Sequence, residues 1–329
     1  MRRSVIALVL FAASAAALPA PPGSPAHPGS YDYSPTVQYV RGADSFELFW
    51  TGWAPVLPGV NRDAVYRSTS PDLRTWSPPA VVFQGTGMPG DFDGGHVTNP
   101  TVLRNVVVAG AVRKYAMWYD GCQLWSNEAG RFGLAVSDDG LSWTRLGQLT
   151  GLDSGTPAPE YYGHLSIAVA WAPGPSPRFV ALFQRHYGDT ADGVYYAESW
   201  DGVAWLGQNG GPLRRVALGE WGEGANPTLD LARDPAAGRW LVTFGAPDGL
   251  RLYAVPMLHF GTMDLSQGVQ TLLGTVPVTP GPGFAPGFVR EADGARFGTP
   301  ERWTPVIAFA QDRLLQAPGD PELVQVRWQ

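Results

Sequence analysis

The sequence predicts an all-β fold: a five-bladed β-propeller with about four antiparallel strands per blade, following an N-terminal signal peptide. Three observations carry this. Short runs of alternating apolar and polar residues, separated by Gly, Pro and Asp turns, fill most of the chain, which is the pattern of antiparallel meanders. Sequence markers recur at a nearly constant period, the signature of a repeat architecture rather than of unrelated segments. The 329 residues include 41 Gly, 31 Pro and 13 Trp but only 16% charged residues, as suits a turn-rich chain with aromatic wedges between sheets.

The chain opens with Arg2 and Arg3, the apolar run VIALVLFAASAAAL and a group of small residues. A basic n-region, an apolar h-region and a small-residue cleavage zone read as a signal peptide over 1–20, with 21–30 a Pro-rich spacer. The expected localisation is secreted or periplasmic. The apolar run is short for a membrane span, so no membrane partner is expected after cleavage. Residues 31–329 then form a single domain.

Each unit of the repeat has the same order. The first runs SPTVQYV from Ser34, SFELFWTGW, and AVYRSTSPDLRTW to Trp76. The second runs NPTVLRN from Asn99, KYAMWYDG, and RFGLAVSDDGLSW to Trp143. The third opens GHLSIAVAW, with His164 in the leading position, and ends VYYAESWDGVAW at Trp205. The fourth opens ANPTLDLAR at Asn226, and the last APGFVRE at Ala285. The starts fall at 34, 99, 164, 226 and 285, at intervals of 65, 65, 62 and 59, and the closing Trp residues at 76, 143 and 205 keep intervals of 67 and 62. A lone meander cannot bury both faces, and radial packing of units into a ring solves this. A two-sheet sandwich also has many short strands, but its strands would not share markers at one period.

Composition excludes several partners. The formal charge of −6 becomes −8 once Arg2 and Arg3 leave with the signal peptide. No basic run survives, so nucleic acid is not expected. Cys122 is the only cysteine, so no intramolecular disulfide forms, and no basic neighbour in sequence activates its thiol. There is no Gly-rich phosphate loop, nucleophile elbow, Cys/His metal cluster or dinucleotide fingerprint. A monomer is expected.

In such a ring the leading residues of the innermost strands converge on one mouth of the axial channel. They are Ser34, Asn99, His164, Asn226 and Ala285. Strand alternation places Asp32 with Ser34, and Glu160 and Tyr162 with His164. Glu223 precedes Asn226 by three residues and reaches the mouth if Gly222 and Gly224 form a turn. Trp221 beside it would desolvate its carboxyl and raise its pKa. Glu223, Glu160 and Asp32 are therefore the acid and base candidates. Ser34, Asn99, His164, Asn226, Trp125, Tyr162, Trp221 and His186 are the substrate-binding candidates, with Trp53, Trp118, Tyr119 and Tyr161 as further stacking surfaces. Bland readings stand beside these: Asp32 as a solvated entry residue, His164 as a hydrogen-bonded core histidine, and Asn99 and Asn226 as caps of the turn before Pro. The loop Asp91-Phe92-Asp93-Gly94-Gly95 has half the pattern of a calcium loop but lacks its later ligands and distal Glu, and reads as a turn. The Ser-x-Asp-Gly-x-x-Trp corners at Asp139 and Asp201 read as structural.

The NPTV opening, the Y-x-M-W-Y-x-G second strand and the GLAVSDDGLSW third strand resemble the five-bladed propeller glycoside hydrolases. That clan comprises arabinanases, β-xylosidases and fructosidases (families 43, 62 and 32), with the related mannoside phosphorylases. The resemblance covers most of 31–329 as a repeat and is most specific from Asn99 to Trp143. It implies two carboxyl groups flanking a sugar at the axial pocket, one as base or nucleophile and one as general acid. The implied partner is an oligo- or polysaccharide. No cofactor is required, and an axial cation such as calcium is compatible. The family's Asp before the first blade's Pro corresponds to Ser34, its second-blade Asp to Asn99, and its third-blade Glu to His164. These departures point either to a shifted set of carboxylates or to a non-catalytic carbohydrate-binding or surface-interaction propeller. A mannoside phosphorylase-like activity would need Arg62, Arg131 and Arg185 to hold phosphate.

Overall fold

The computed structural model describes residues 33–57, 60–73, 75–123, 130–152, 167–172, 178–187, 190–215, 229–246, 249–257, 271–276, 283–292, 306–311 and 324–327. Residues 1–30, where a signal peptide and a spacer are expected, lie outside them. The first unit holds β1 (Tyr33–Val40), β2 (Ser45–Leu57), β3 (Val60–Ser70) and β4 (Ala80–Phe83). The second holds β5 (His96–Val108), β6 (Ala111–Cys122), β7 (Arg131–Ser137) and β8 (Thr144–Gln148). The third holds β9 (Ile167–Ala172), β10 (Arg178–Tyr187), β11 (Thr190–Ser199) and β12 (Arg214–Arg215). The fourth holds β13 (Leu229–Asp234), β14 (Arg239–Ala246), β15 (Gly249–Pro256) and β16 (Thr271–Val276). The chain closes with β17 (Gly283–Arg290), β18 (Val306–Gln311) and β19 (Val324–Arg327). No α-helix occurs among the described residues.

The fold is all-β with a propeller arrangement, but it has four hydrogen-bonded sheets rather than the expected five. The first and last units share one seven-stranded sheet, in the order β19-β18-β17-β1-β2-β3-β4. They are joined by a parallel pair at Val37↔Val289 and Gln38↔Arg290. The repeat marks each unit along the chain, whereas sheet membership depends on which edges come within hydrogen-bonding distance. Here the inner edges of β1 and β17 do, so the two ends of the chain close on each other. The other three sheets are four-stranded meanders.

Apolar side chains pack between neighbouring sheets. One cluster joins the second and third units, with Trp118, Phe132, Phe179, Phe183 and Trp205 buried together. Another joins the first and second through Phe49, Val65, Phe83, Val97 and Tyr119. The Ser-x-Asp-Gly corners explain how adjacent units lock. Ser199 Oγ accepts the Gly202 N–H at 2.8 Å, and Asp201 Oδ1 accepts the N–H groups of Val203 and Ala204 at 2.8 and 2.9 Å. The same bonds recur at Ser137 and Asp139. The corner then docks on the preceding unit: Trp118 Nε1 donates to Gly202 O at 2.8 Å, and Ala109 N to Asp201 O at 2.8 Å. Gly202 has φ +76°, and a Cβ there would lie 2.7 Å from Val108 Cγ2. A glycine is required on both counts.

Near the axis, polar groups tie the inner strands together. Arg290, 0% exposed, pairs with Asp230 Oδ1 at 3.1 Å, donates to Leu231 O at 3.1 Å and bonds Thr36 Oγ1. Asp230 Oδ2 also accepts Phe288 N–H at 2.6 Å. Burial pushes the Asp230 carboxyl up and the Arg290 guanidinium down, and their mutual attraction offsets only part of each. One cation thus links β13, β17 and β1. Gln38 Nε2 donates to Val102 O at 2.7 Å and so links β1 to β5.

Candidate functional site

Among the described residues, the mouth at which the inner strands begin carries two equivalent irregularities. Ser34 and Asn99 each precede a Pro and each have positive φ, 50° and 51°. Strand register shifts at the same places, between Tyr33 and Thr36 and between Thr98 and Thr101. A left-handed non-glycine residue at a bulge costs backbone energy, and such positions concentrate at functional sites.

The structure brings Ser34 and Asn99 together. Ser34 Oγ donates to Asn99 Oδ1, Asn99 N–H donates to Thr51 Oγ1 at 2.9 Å, and Asn99 Nδ2 donates to Thr98 Oγ1 at 3.3 Å. Thr98 Oγ1 donates in turn to Asp120 Oδ2 at 3.1 Å. A chain of hydrogen bonds therefore runs from Ser34 on the first unit to a fully buried carboxylate on the second.

Beside it lies a second polar group. His96 Nδ1 is 2.9 Å from Asp63 Oδ2 and 3.2 Å from the Asp63 backbone N. One ring nitrogen cannot donate to the first and accept from the second. The shorter contact, to a buried carboxylate, assigns the proton to Nδ1. His96 faces Cys122, and Thr98 faces Asp120, in the β5–β6 ladder, so these four side chains share one face. Burial pushes the Cys122 thiol well up, and the Asp120 and Asp63 carboxylates add to the shift. The thiol is therefore protonated and not a nucleophile. The cluster offers buried acceptors beneath the mouth and a histidine fixed in one tautomer. Such a rigid polar floor can orient hydroxyl groups.

The remaining sequence-derived candidates separate clearly. Glu223, Glu160, Asp32, His164, Asn226, Trp125, Tyr162 and Trp221 lie outside the described residues. His186 sits at a register shift in β10 opposite Ala191, and its side chain is outside the described set. Trp118 and Tyr119 are not stacking surfaces. Trp118 is buried against the third unit's corner, and the Tyr119 hydroxyl donates to Asp93 Oδ2 at 2.8 Å. Strand alternation at a sheet buried on both faces turns both residues inward. Burial and the Asp93 carboxylate raise the Tyr119 pKa. In the Asp91–Gly95 loop, Asp93 Oδ2 also pairs with Arg145 Nε at 2.7 Å, so the loop is a cross-linked turn.

Sequence reasoning missed Asp63 and Asp120. Asp120 had a usable signal, a carboxylate closing an otherwise apolar aromatic strand just before Gly121. Asp63 had none, because its partner His96 is 33 residues away. Among the described residues no group of three or more His, Cys, Asp or Glu is placed to hold a metal ion. The described axis carries the Arg290 cation, which does not fit an axial calcium.

No family model matches the sequence, and no curated protein matches it. Solved structures do share the fold. A family 117 glycoside hydrolase produced by the marine bacterium Zobellia galactanivorans has a TM-score of 0.57 at 13% identity, covering 91% of this chain and 84% of that one. A structure from the family 130 mannoside phosphorylases, described as containing glycoside hydrolases that target β-1,2 mannosidic linkages in Candida mannan, gives 0.55 at 11% identity, with 90% and 84% covered. A glycosyl hydrolase from Bacteroides ovatus gives 0.54 at 10% identity, with 89% and 87% covered. At these identities the likeness is one of fold: the chain has the propeller arrangement found in these glycoside hydrolases.

Proposed function

We propose that this chain is a secreted glycoside hydrolase-like protein that acts on an oligo- or polysaccharide at the axial mouth of its propeller. The observation that carries this is the hydrogen-bonded chain Ser34–Asn99–Thr98–Asp120 at the inner-strand openings, held on two left-handed bulges. A half-buried hydroxyl at Ser34 above a buried floor of amide, hydroxyl and carboxylate groups suits a polyhydroxylated ligand. The fold shared with glycoside hydrolases supports the same reading. Catalysis would use two carboxyl groups, with Glu223 or Glu160 as general acid and Asp32 as base, in the manner of the family 43 clan.

The second reading is a propeller that binds glycan without cutting it. It is favoured by the same two residues: Ser34 and Asn99 stand where the resembled family has Asp, and they bond to each other. A phosphorylase-like activity has weaker support, since Arg131 Nη1 is turned to Gly130 O at 3.0 Å.

The deciding experiment is sugar release from aryl glycosides and polysaccharides by the purified protein, run beside Glu223→Gln. Loss of a general acid costs about 10²–10⁴-fold, so parent activity that falls by this much in the variant supports the hydrolase. Binding to a polysaccharide with no turnover by the parent would overturn it in favour of the binding protein.

A further inference from the structure

The rim of the mouth between the first and second units carries a solvent-facing aromatic that the axial chemistry does not use. Trp53 is 48% exposed. It lies in β2 two residues beyond Thr51, which faces Tyr33 at the start of β1 and accepts the Asn99 N–H. Thr51 and Trp53 share a face, so the indole is offset from Asn99 toward the outside of the mouth. Its backbone is held on two sides. The Tyr66 hydroxyl donates to Trp53 O at 2.7 Å, and Trp53 is the ladder partner of Asp63, whose carboxylate is bound to His96 of the next sheet. The ring is therefore presented from a backbone fixed across two sheets.

Single exposed apolar residues are ordinary on protein surfaces, so position decides the matter. The other exposed tryptophan among the described residues, Trp200, is 60% exposed and follows Ser199 at the end of β11. β11 runs antiparallel to β10, which is antiparallel to the inner strand β9, so Trp200 sits at the end of the propeller away from the mouth. Trp53 alone of the two stands where a chain emerging from the axial pocket would pass.

We infer that Trp53 is a stacking platform for a second sugar residue, outside the axial pocket, and that the ligand is an oligomer of at least two sugar units rather than a monosaccharide. The ring would present its apolar C–H face to the indole, with its hydroxyls directed to solvent and to the polar floor at His96. This inference rests on the glycan reading above and narrows it to chain-form substrates.

The test is affinity electrophoresis and calorimetric titration of the full chain with soluble arabinan, xylan, levan and β-mannan. The variants are Trp53→Ala, Trp53→Phe and Trp200→Ala. The expected result is a loss of affinity of about tenfold or more in Trp53→Ala for whichever polysaccharide the parent binds. Trp53→Phe should retain most of the affinity and Trp200→Ala all of it, and competition by the matching monosaccharide should be the same in every variant. Trp53→Phe, with its aromatic ring kept, answers for any folding defect in the alanine variant. Parent binding that is unchanged in Trp53→Ala overturns this inference while leaving the glycan reading intact. A parent that binds none of the four overturns both.

Discussion

Removing the axial cation should unfasten the ring. Arg290→Met deletes the pair with Asp230 at 3.1 Å, the bond to Leu231 O at 3.1 Å and the bond to Thr36. It keeps the aliphatic bulk. Asp230 is left buried and without a counter-charge, holding the Phe288 N–H at 2.6 Å and the backbone N–H of Leu231. Breaking one side of a buried ion pair typically costs about 3–5 kcal/mol. For a domain of this size that lowers Tm by roughly 5–15 °C, measured by calorimetry or near-ultraviolet circular dichroism. The sign of a second substitution is the sharper test. Asp230→Asn should destabilise the parent, where it removes a charge from a satisfied pair. In the Arg290→Met background it should stabilise, because there it removes an orphaned charge. With the cation gone the Asp230 pKa rises further. A carboxyl whose folded pKa is raised contributes stability below its unfolded pKa and loses it as pH rises, so the Arg290→Met deficit should be larger at pH 7 than at pH 4. An Arg290→Met protein within about 0.5 kcal/mol of the parent, or an Asp230→Asn effect of one sign in both backgrounds, would refute the view that these groups form a buried interdependent staple.

Two further outcomes test the corners. Gly202→Ala must place a Cβ at φ +76° and 2.7 Å from Val108, whereas Gly210→Ala has φ +75° and open space around it. Backbone strain alone predicts about 1 kcal/mol for Gly210→Ala, with about 1–3 kcal/mol more for Gly202→Ala from overpacking. Equal losses in chemical denaturation would show that the corner does not dock as described. The Asp139 carboxyl is lowered from its ordinary 3.8 to about 2, chiefly by the Ser142 and Leu141 N–H groups, with Ser137 adding to them. A depressed carboxylate stabilises the fold above its unfolded pKa and stops doing so as pH falls through the folded value. The Tm gap between the parent and Asp139→Asn should therefore shrink between pH 5 and about 2, and a gap constant over that window would contradict the assignment.

Much of the fold was legible because it is local. The three segments NPTVLRN, KYAMWYDG and RFGLAVS of the second unit fall within β5, β6 and β7, where alternation and turn residues predict strands. The Ser-x-Asp-Gly corner is readable because its hydrogen bonds span two or three residues. The site was less legible. Ser34 and Asn99 were found as leading residues, but their bond to each other spans 65 positions, and nothing local distinguishes a ligand-facing amide from one satisfied by a neighbouring strand. Trp118 and Tyr119 show the same limit, since an aromatic pair in a strand has the same pattern whether it faces a sugar or the next sheet.

The all-β class, the repeat and the inner-strand openings at Ser34 and Asn99 were readable from the chain, because periodicity, turn chemistry and the X-Pro markers act over a few residues. Only the tertiary structure decided the rest. It joined the first and last units in one sheet through Val37 and Val289, and it closed the ring on Arg290. It paired Asp63 with His96 and left Trp53 at the rim. Each of these depends on which distant edges come within about 3 Å of one another, a quantity that no local pattern encodes.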